Sequence, residues 1–406
     1  MNSPRCIERW SRTFVASPPH ARRRRATAAL ALTLVALTVG CTGAGTSREN
    51  PGPVRDPATA PPEADLARTR VLLVPATPIA GDQNVVWCAT IQLAWDELVK
   101  ADRAVLDEMT AARRIGLPPR MPQGLRLGPP APADLVDALN LGTFPRSGLD
   151  EASYVVEAGK VKDGVFTRFQ KRLARMPEAS FPLALPSLDP EDVAALAYLR
   201  KDLPFRTPFH VHERRLAFAS GARRVVAFGM DPDATGGDAS KMAEEAIHHP
   251  GEGSFAVELL PRSDADRIVL GSIPRPATLE EGWMAVSRLL EKPGERLFAG
   301  AELVIPKIDF ATTTTFSELI GAPLLDFPPG AKVKDARQRN EFTLSETGAR
   351  LVSAAVMANS CSAPVRRREL HLVFDRPFLL AMRRTGATRP YFLAWFGNDD
   401  LFVKRP

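Results

Sequence analysis

The chain has 406 residues, 45% of them hydrophobic, which is ordinary for a globular core. Its formal charge of +6 is concentrated at the start, in Arg22, Arg23, Arg24 and Arg25, so the body is much less basic and a nucleic-acid partner loses its main support. The sequence lacks Gly-x-Ser-x-Gly, a Gly-rich loop ending in Lys-Ser or Lys-Thr, and His-Glu-x-x-His, which removes the commonest hydrolase, nucleotide-binding and zinc-protease patterns.

The four arginines precede an uncharged apolar run, Ala26 to Val39. Its length of about 14 residues is short of the ~20 that span a bilayer and suits the apolar core of an export signal. The following Leu37-Thr38-Val39-Gly40-Cys41 resembles a bacterial lipoprotein cleavage site, with Cys41 as the residue to be lipidated. Thr38 departs from that pattern, and an uncleaved anchor or an ordinary signal cut near Gly40 are the alternatives. All three readings predict export, to a bacterial envelope in the lipoprotein case. Residues 42–65, rich in Gly, Pro, Ala and Thr, read as a mobile tether, and residues 66–406 as one folded domain. Of the four cysteines, Cys6 and Cys41 lie in the signal region, leaving Cys88 and Cys361 either to pair in an oxidising compartment or to stay separate buried thiols.

In chain order, Arg70–Leu73 reads as a short strand. Val85–Val99 and Ala101–Ile115 read as two helices on a 3.6-residue period. Asp134 is placed to cap a short helix, Leu135–Leu139. Ala194–Leu199 is a strand, and His210–Phe218 with Arg223–Phe228 a strand pair. Gly236–His249 is a polar insertion with a helical end. Ser254–Leu260 and Arg267–Ile273 are neighbouring strands, and Thr278–Leu290 is a helix with Glu280 and Glu281 in its first turn. Further strands are expected at Leu303–Phe310, Glu341–Leu344, Ala349–Ala358, Glu369–Phe374, Phe378–Met382 and Tyr391–Phe396. Thr312–Thr315 reads as a polar loop or strand edge. Helices early and strands late predict an α+β fold, with N-terminal helices packed on large mixed or antiparallel sheets.

Two features invite a chemical reading. His210 and His212 share one face of a strand, because side chains alternate, and with His248 and His249 they are weak candidates for zinc; the simpler reading is surface polarity and no cofactor. Arg366-Arg367-Arg368 is a solvated charge run or a recognition patch for a protease or an anionic partner.

The last hundred residues resemble the serpin family. Val304-Ile305-Pro306-Lys307-Ile308-Asp309-Phe310 followed by Phe316-Ser317-Glu318-Leu319-Ile320-Gly321 is similar to the family's Pro-Lys-Phe strand and short helix. Glu346-Thr347-Gly348 stands where the reactive-loop hinge has Glu-x-Gly, and Arg376-Pro377-Phe378 with Phe396-Gly397 resembles the closing strands. Weaker echoes are Asn84-Val85-Val86-Trp87, Ala197-Tyr198-Leu199-Arg200 and Pro208-Phe209. The resemblance implies a serpin-like fold with a reactive-loop-like segment near the C-terminus, no enzymatic activity, and a protein partner. In the inhibitory members that partner is a protease, trapped when the cut loop inserts into the sheet.

The resemblance also assigns residues. The hinge would be Glu346, Gly348, Ala349, Arg350 and Leu351, and the cleaved region Cys361, Ser362 and Ala363, with Arg366 as a basic alternative. Leu351 falls on the same face as Ala349 and is bulky, which opposes fast insertion. The family's serine-rich segment reads Cys88-Ala89-Thr90 here. A Cys88–Cys361 bond would tether the loop. The expectation is therefore a membrane-anchored, non-inhibitory binding or structural protein, with a protease inhibitor as the alternative and a zinc protein as a third reading.

Overall fold

A computed structural model describes residues 62–64, 67–111, 124–176, 183–184, 186–212, 216–219, 224–233, 237–327, 329–350 and 370–404. All of them belong to the unit Arg55–Pro406. The chain enters through β1 (Thr69–Val71) and β2 (Asn84–Cys88), and β2 is buried at every position. The helix expected from Val85 therefore begins later. In a run that is apolar on all sides, a helical period cannot be told from a strand buried on both faces.

From Thr90 the two expected helices are one, α1 (Thr90–Ala111), since no Gly or Pro interrupts the junction. Next comes α2 (Ala133–Leu141), whose N-cap is Pro132; Asp134 lies in the first turn, where its charge meets the helix dipole without capping. Neither β3 (Tyr154–Lys160) nor α3 (Val165–Leu173) is among the expected elements. The signal for α3 was present: Val165, Phe169 and Leu173 are buried at four-residue spacing among charged neighbours.

β4 (Val193–Leu199) matches its expectation. Where two long strands were expected, the chain makes β5 (Leu203–Pro204), β6 (His210–Val211), β7 (Leu216–Ala217), β8 (Arg224–Val225) and β9 (Ala227–Met230). α4 (Gly237–Glu244) then precedes β10 (Ala246–Pro250), so the polar insertion starts as helix and ends as strand, the reverse of the expected order. β11 (Phe255–Leu259) and β12 (Asp266–Ser272) pair across their charged turn. α5 (Leu279–Leu290) is capped by Thr278, whose hydroxyl accepts from Glu281 N at 3.1 Å.

After β13 (Glu295–Arg296) the strand expected at Leu303–Phe310 is two strands, β14 (Glu302–Pro306) and β15 (Ile308–Thr315), in different sheets. The break falls at Pro306, which has no amide to donate to a continuing ladder. The Thr312–Thr315 run is the end of β15. β16 (Arg337–Ser345), β17 (Gly348–Arg350), β18 (His371–Val373), β19 (Phe378–Arg384) and β20 (Phe392–Phe396) complete the order.

The fold is α+β. An eight-stranded sheet runs β1-β2-β20-β19-β12-β11-β10-β13, antiparallel except for the β1–β2 pair. Two four-stranded sheets run β18-β14-β9-β6 and β15-β16-β17-β5, and β3–β4 forms a two-stranded ladder. The core gathers around the eight-stranded sheet, where Phe378 and Phe396 lie 5.0 Å apart and Phe218 and Phe402 4.8 Å apart. Burying each such ring contributes ~1.5–3 kcal/mol. α5 packs on this sheet, while α1 packs on β3 and β4. No helix among the described residues is long and apolar enough to cross a membrane.

Candidate functional site

Of the residues that the resemblance assigns to a hinge, Gly348, Ala349 and Arg350 form a docked strand. β16 pairs with β15 along its whole length, Ile308 opposite Leu344 through Thr315 opposite Arg337. After Ser345 the chain turns at Glu346 and Thr347 and returns as β17, with Ser345 opposite Gly348 and Thr343 opposite Arg350. The other edge of β17 pairs with β5, Gly348 opposite Pro204 and Ala349 opposite Leu203. Both pairings are antiparallel. Phe205 N donates to Thr347 O at 2.9 Å, Phe209 N donates to Glu346 O at 2.8 Å, and Lys307 Nζ meets Glu346 Oε2 at 2.5 Å.

Gly348 has φ +137°, and a Cβ there would lie 2.5 Å from Leu203 O and 2.6 Å from Pro204 Cα. Those neighbours are backbone and cannot yield, so this close approach requires glycine. Ala349 is 2% exposed.

Below this docked turn the sheet is open. β4 is paired to β3 over all seven of its residues, and its other edge has no strand partner among the described residues. Among the described residues, Arg337–Phe342 of β16 pairs only with β15. Both edges line one cavity of about 760 Å³, whose other walls are α1 and the segment 329–336.

At one end of the cavity lies a buried polar cluster. Lys201 Nζ meets Asp266 Oδ2 at 3.0 Å, and it also sits 5.3 Å from the centre of the Tyr391 ring. Burial, and then the Asp266 charge, push the Tyr391 phenol well above its ordinary range. Gln338 Nε2 donates to Thr90 Oγ1 at 2.7 Å and to Cys88 O at 3.3 Å, tying the open strand to the start of α1. Cys88 is a buried free thiol whose pKa burial raises. Its candidate partner Cys361 lies outside the described residues, as do Leu351, Ser362, Ala363, Arg366–Arg368 and Cys41.

The four histidines do not converge. His210 and His212 belong to the β6 edge and His248 and His249 to β10, in different sheets. His210 is exposed, and His212 Nε2 bonds Leu303 O at 2.9 Å. His248 packs on Phe255, and burial holds its imidazole below the ordinary range. His249 Nδ1 bonds Lys292 O at 3.2 Å. Among the described residues no cluster of three or more His, Cys, Asp or Glu is placed to hold a metal ion.

Sequence reasoning missed Asp102, Lys201, Gln338 and Tyr391. For Asp102 the signal was available: Ile91, Ala94, Leu98, Asp102 and Val105 share one helix face. For the other three, nothing local announced that distant strands would bring them together.

No family model matches the chain, and no curated protein matches it in sequence. Among solved structures it is similar in fold to serpins. The native state of tengpin, a thermophilic serpin, matches at 12% identity and TM-score 0.47, over 79% of this chain and 90% of that one. Human thyroxine-binding globulin in complex with thyroxine matches at 13% and 0.41, over 79% and 93%. A serpin of the trematode Schistosoma haematobium matches at 12% and 0.44, over 78% and 94%.

Proposed function

We propose that the protein is an exported, non-catalytic binding protein of serpin-like architecture, which takes up an extended segment of a protein partner as an added strand between β4 and β16. The pair of open edges, Val193–Leu199 and Arg337–Phe342, on one cavity carries this reading. Such edges offer rows of amide and carbonyl groups to an incoming chain, and pockets beneath select alternate side chains. At ~3.3 Å per residue, β4 gives room for about seven residues of partner.

The same geometry supports a second reading, a protease inhibitor that fills the slot with its own loop. In the register of β17, with Thr343 opposite Arg350, a continuing strand would set position 351 opposite Phe342. Leu351 would then share the face of buried Ala349, and threading a leucine between packed strands slows insertion. That is why the non-inhibitory reading is preferred. The signal-like residues before Cys41 and the following tether support a lipid-anchored location in a bacterial envelope.

Trypsin, for which Arg366–Arg368 offers sites, discriminates the two. The expected result is a cut chain, fully active trypsin, and a melting temperature close to that of the intact protein. An SDS-stable complex, or a large rise in melting temperature on cutting, would replace this reading with the inhibitory one. Hydrogen exchange tests the slot itself: alternate amides along β4 and along Arg337–Phe342 should exchange quickly in the free protein, and strong protection at both edges would mean that a strand already lies there.

A further inference from the structure

Asp102 is 4% exposed and lines the cavity, and its carboxylate has no hydrogen-bond or ion-pair partner among the described residues. Its neighbours on the same helix face, Ala94, Leu98 and Val105, are apolar. The other charged groups drawn into the cavity walls are matched: Lys160 with Glu108, Lys201 with Asp266, Arg337 with Asp335, and Arg339 with Glu341. Lys332, which is exposed, also has no ion-pair partner among the described residues. A lone carboxylate in apolar surroundings costs several kcal/mol unless a cation or a proton joins it.

We infer that the α1 side of the cavity is a binding site for a compact apolar amine, its ammonium group paired with the Asp102 carboxylate and its hydrocarbon body against Ala94 and Leu98. Volume, apolar walls and a single convergent charge are what a small-molecule site requires. Burial alone, with no partner, pushes the Asp102 carboxyl up to about 7, so a bound cation would hold the ionised form that the empty site disfavours. The ligand occupies the floor of the slot and needs no strand between β4 and β16; the site stands or falls independently of the strand-addition reading.

The test uses the full chain and two probes of one shape, 1-aminoadamantane, protonated at neutral pH, and neutral 1-adamantanol, titrated by calorimetry. Wild type should bind the amine at least tenfold more tightly than the alcohol. Asp102→Asn should lose that preference while keeping its affinity for the alcohol, and Ala94→Phe, which fills the cavity, should lose both. If Asp102→Asn fails to fold, the wild-type preference and the Ala94→Phe loss still decide. Equal binding of the two probes, no binding of the amine, or unchanged amine affinity in either variant overturns the assignment. None of these outcomes bears on the trypsin experiment.

Discussion

At the scale of single residues, three positions carry costs that the fold accepts in order to build the slot. Gly348 lies where a side chain would strike the backbone of Leu203 and Pro204. Gly348→Ala is expected to lose about 1–3 kcal/mol and to release β17 from β5, which urea unfolding and faster exchange of the Ala349 amide would register. Lys201 and Asp266 are each less than a tenth exposed and pair at 3.0 Å. Removing one partner leaves the other charge buried and alone, so Lys201→Met should cost ~3–5 kcal/mol, whereas the double replacement Lys201→Met with Asp266→Leu should recover most of it. The double-mutant cycle measured in urea separates the two terms.

Asp102 gives the pH dependence. Its folded-state pKa is raised to about 7 by burial, so the folded protein holds this proton more tightly than the unfolded chain, where an aspartate titrates at about 3.9. Stability from this group is full below that ordinary value and is lost progressively as pH rises to about 7, by roughly 4 kcal/mol in all. Asp102→Asn should remove that decline; unfolding free energies at pH 4.5 and 7.5, compared between variant and wild type, measure it. Equal pH slopes in the two proteins would show that Asp102 titrates as an ordinary carboxylate.

At the scale of elements, legibility followed the origin of each signal. α5 was readable because its boundary is local. Thr278 Oγ1 accepts from Glu281 N, and Glu281 Oε2 accepts from the amide of Ala277, one residue before the N-cap, at 3.3 Å, so the Thr-x-x-Glu pattern caps this end through local bonds. Thr278→Ala should accordingly cost ~1 kcal/mol in urea unfolding without disturbing the slot. The β11–β12 pair was readable through its alternation and charged turn. β2 was not, because every one of its five residues is buried and a period has no polar face to mark it. The split between β14 and β15 was also missed. Pro306 was visible in the sequence, yet only the packing shows that the chain changes sheets there.

At the scale of the whole molecule, the location and the slot are separate questions. If Cys41 is the anchor, Cys41→Ser should move the protein from the membrane pellet to the soluble exported fraction, and the wild type should take up labelled fatty acid. Recovery of wild type in the soluble fraction would favour the ordinary cleaved signal. Neither result alters the geometry between β4 and β16, because Cys41 precedes Pro62, the first described residue.

The sequence by itself determined the local elements with capped or alternating patterns and the α+β class. Each depends on neighbours in the chain or on the collinear order of short motifs. Only the tertiary structure decided that β17 is docked between β16 and β5, that edges of β4 and β16 without a further strand partner among the described residues line one cavity, and that Asp102 is buried in its α1 wall. Those outcomes depend on which strands pair, in the case of β5 with β17 across more than a hundred residues, and on what each pairing leaves unpaired, and no local spacing records that choice.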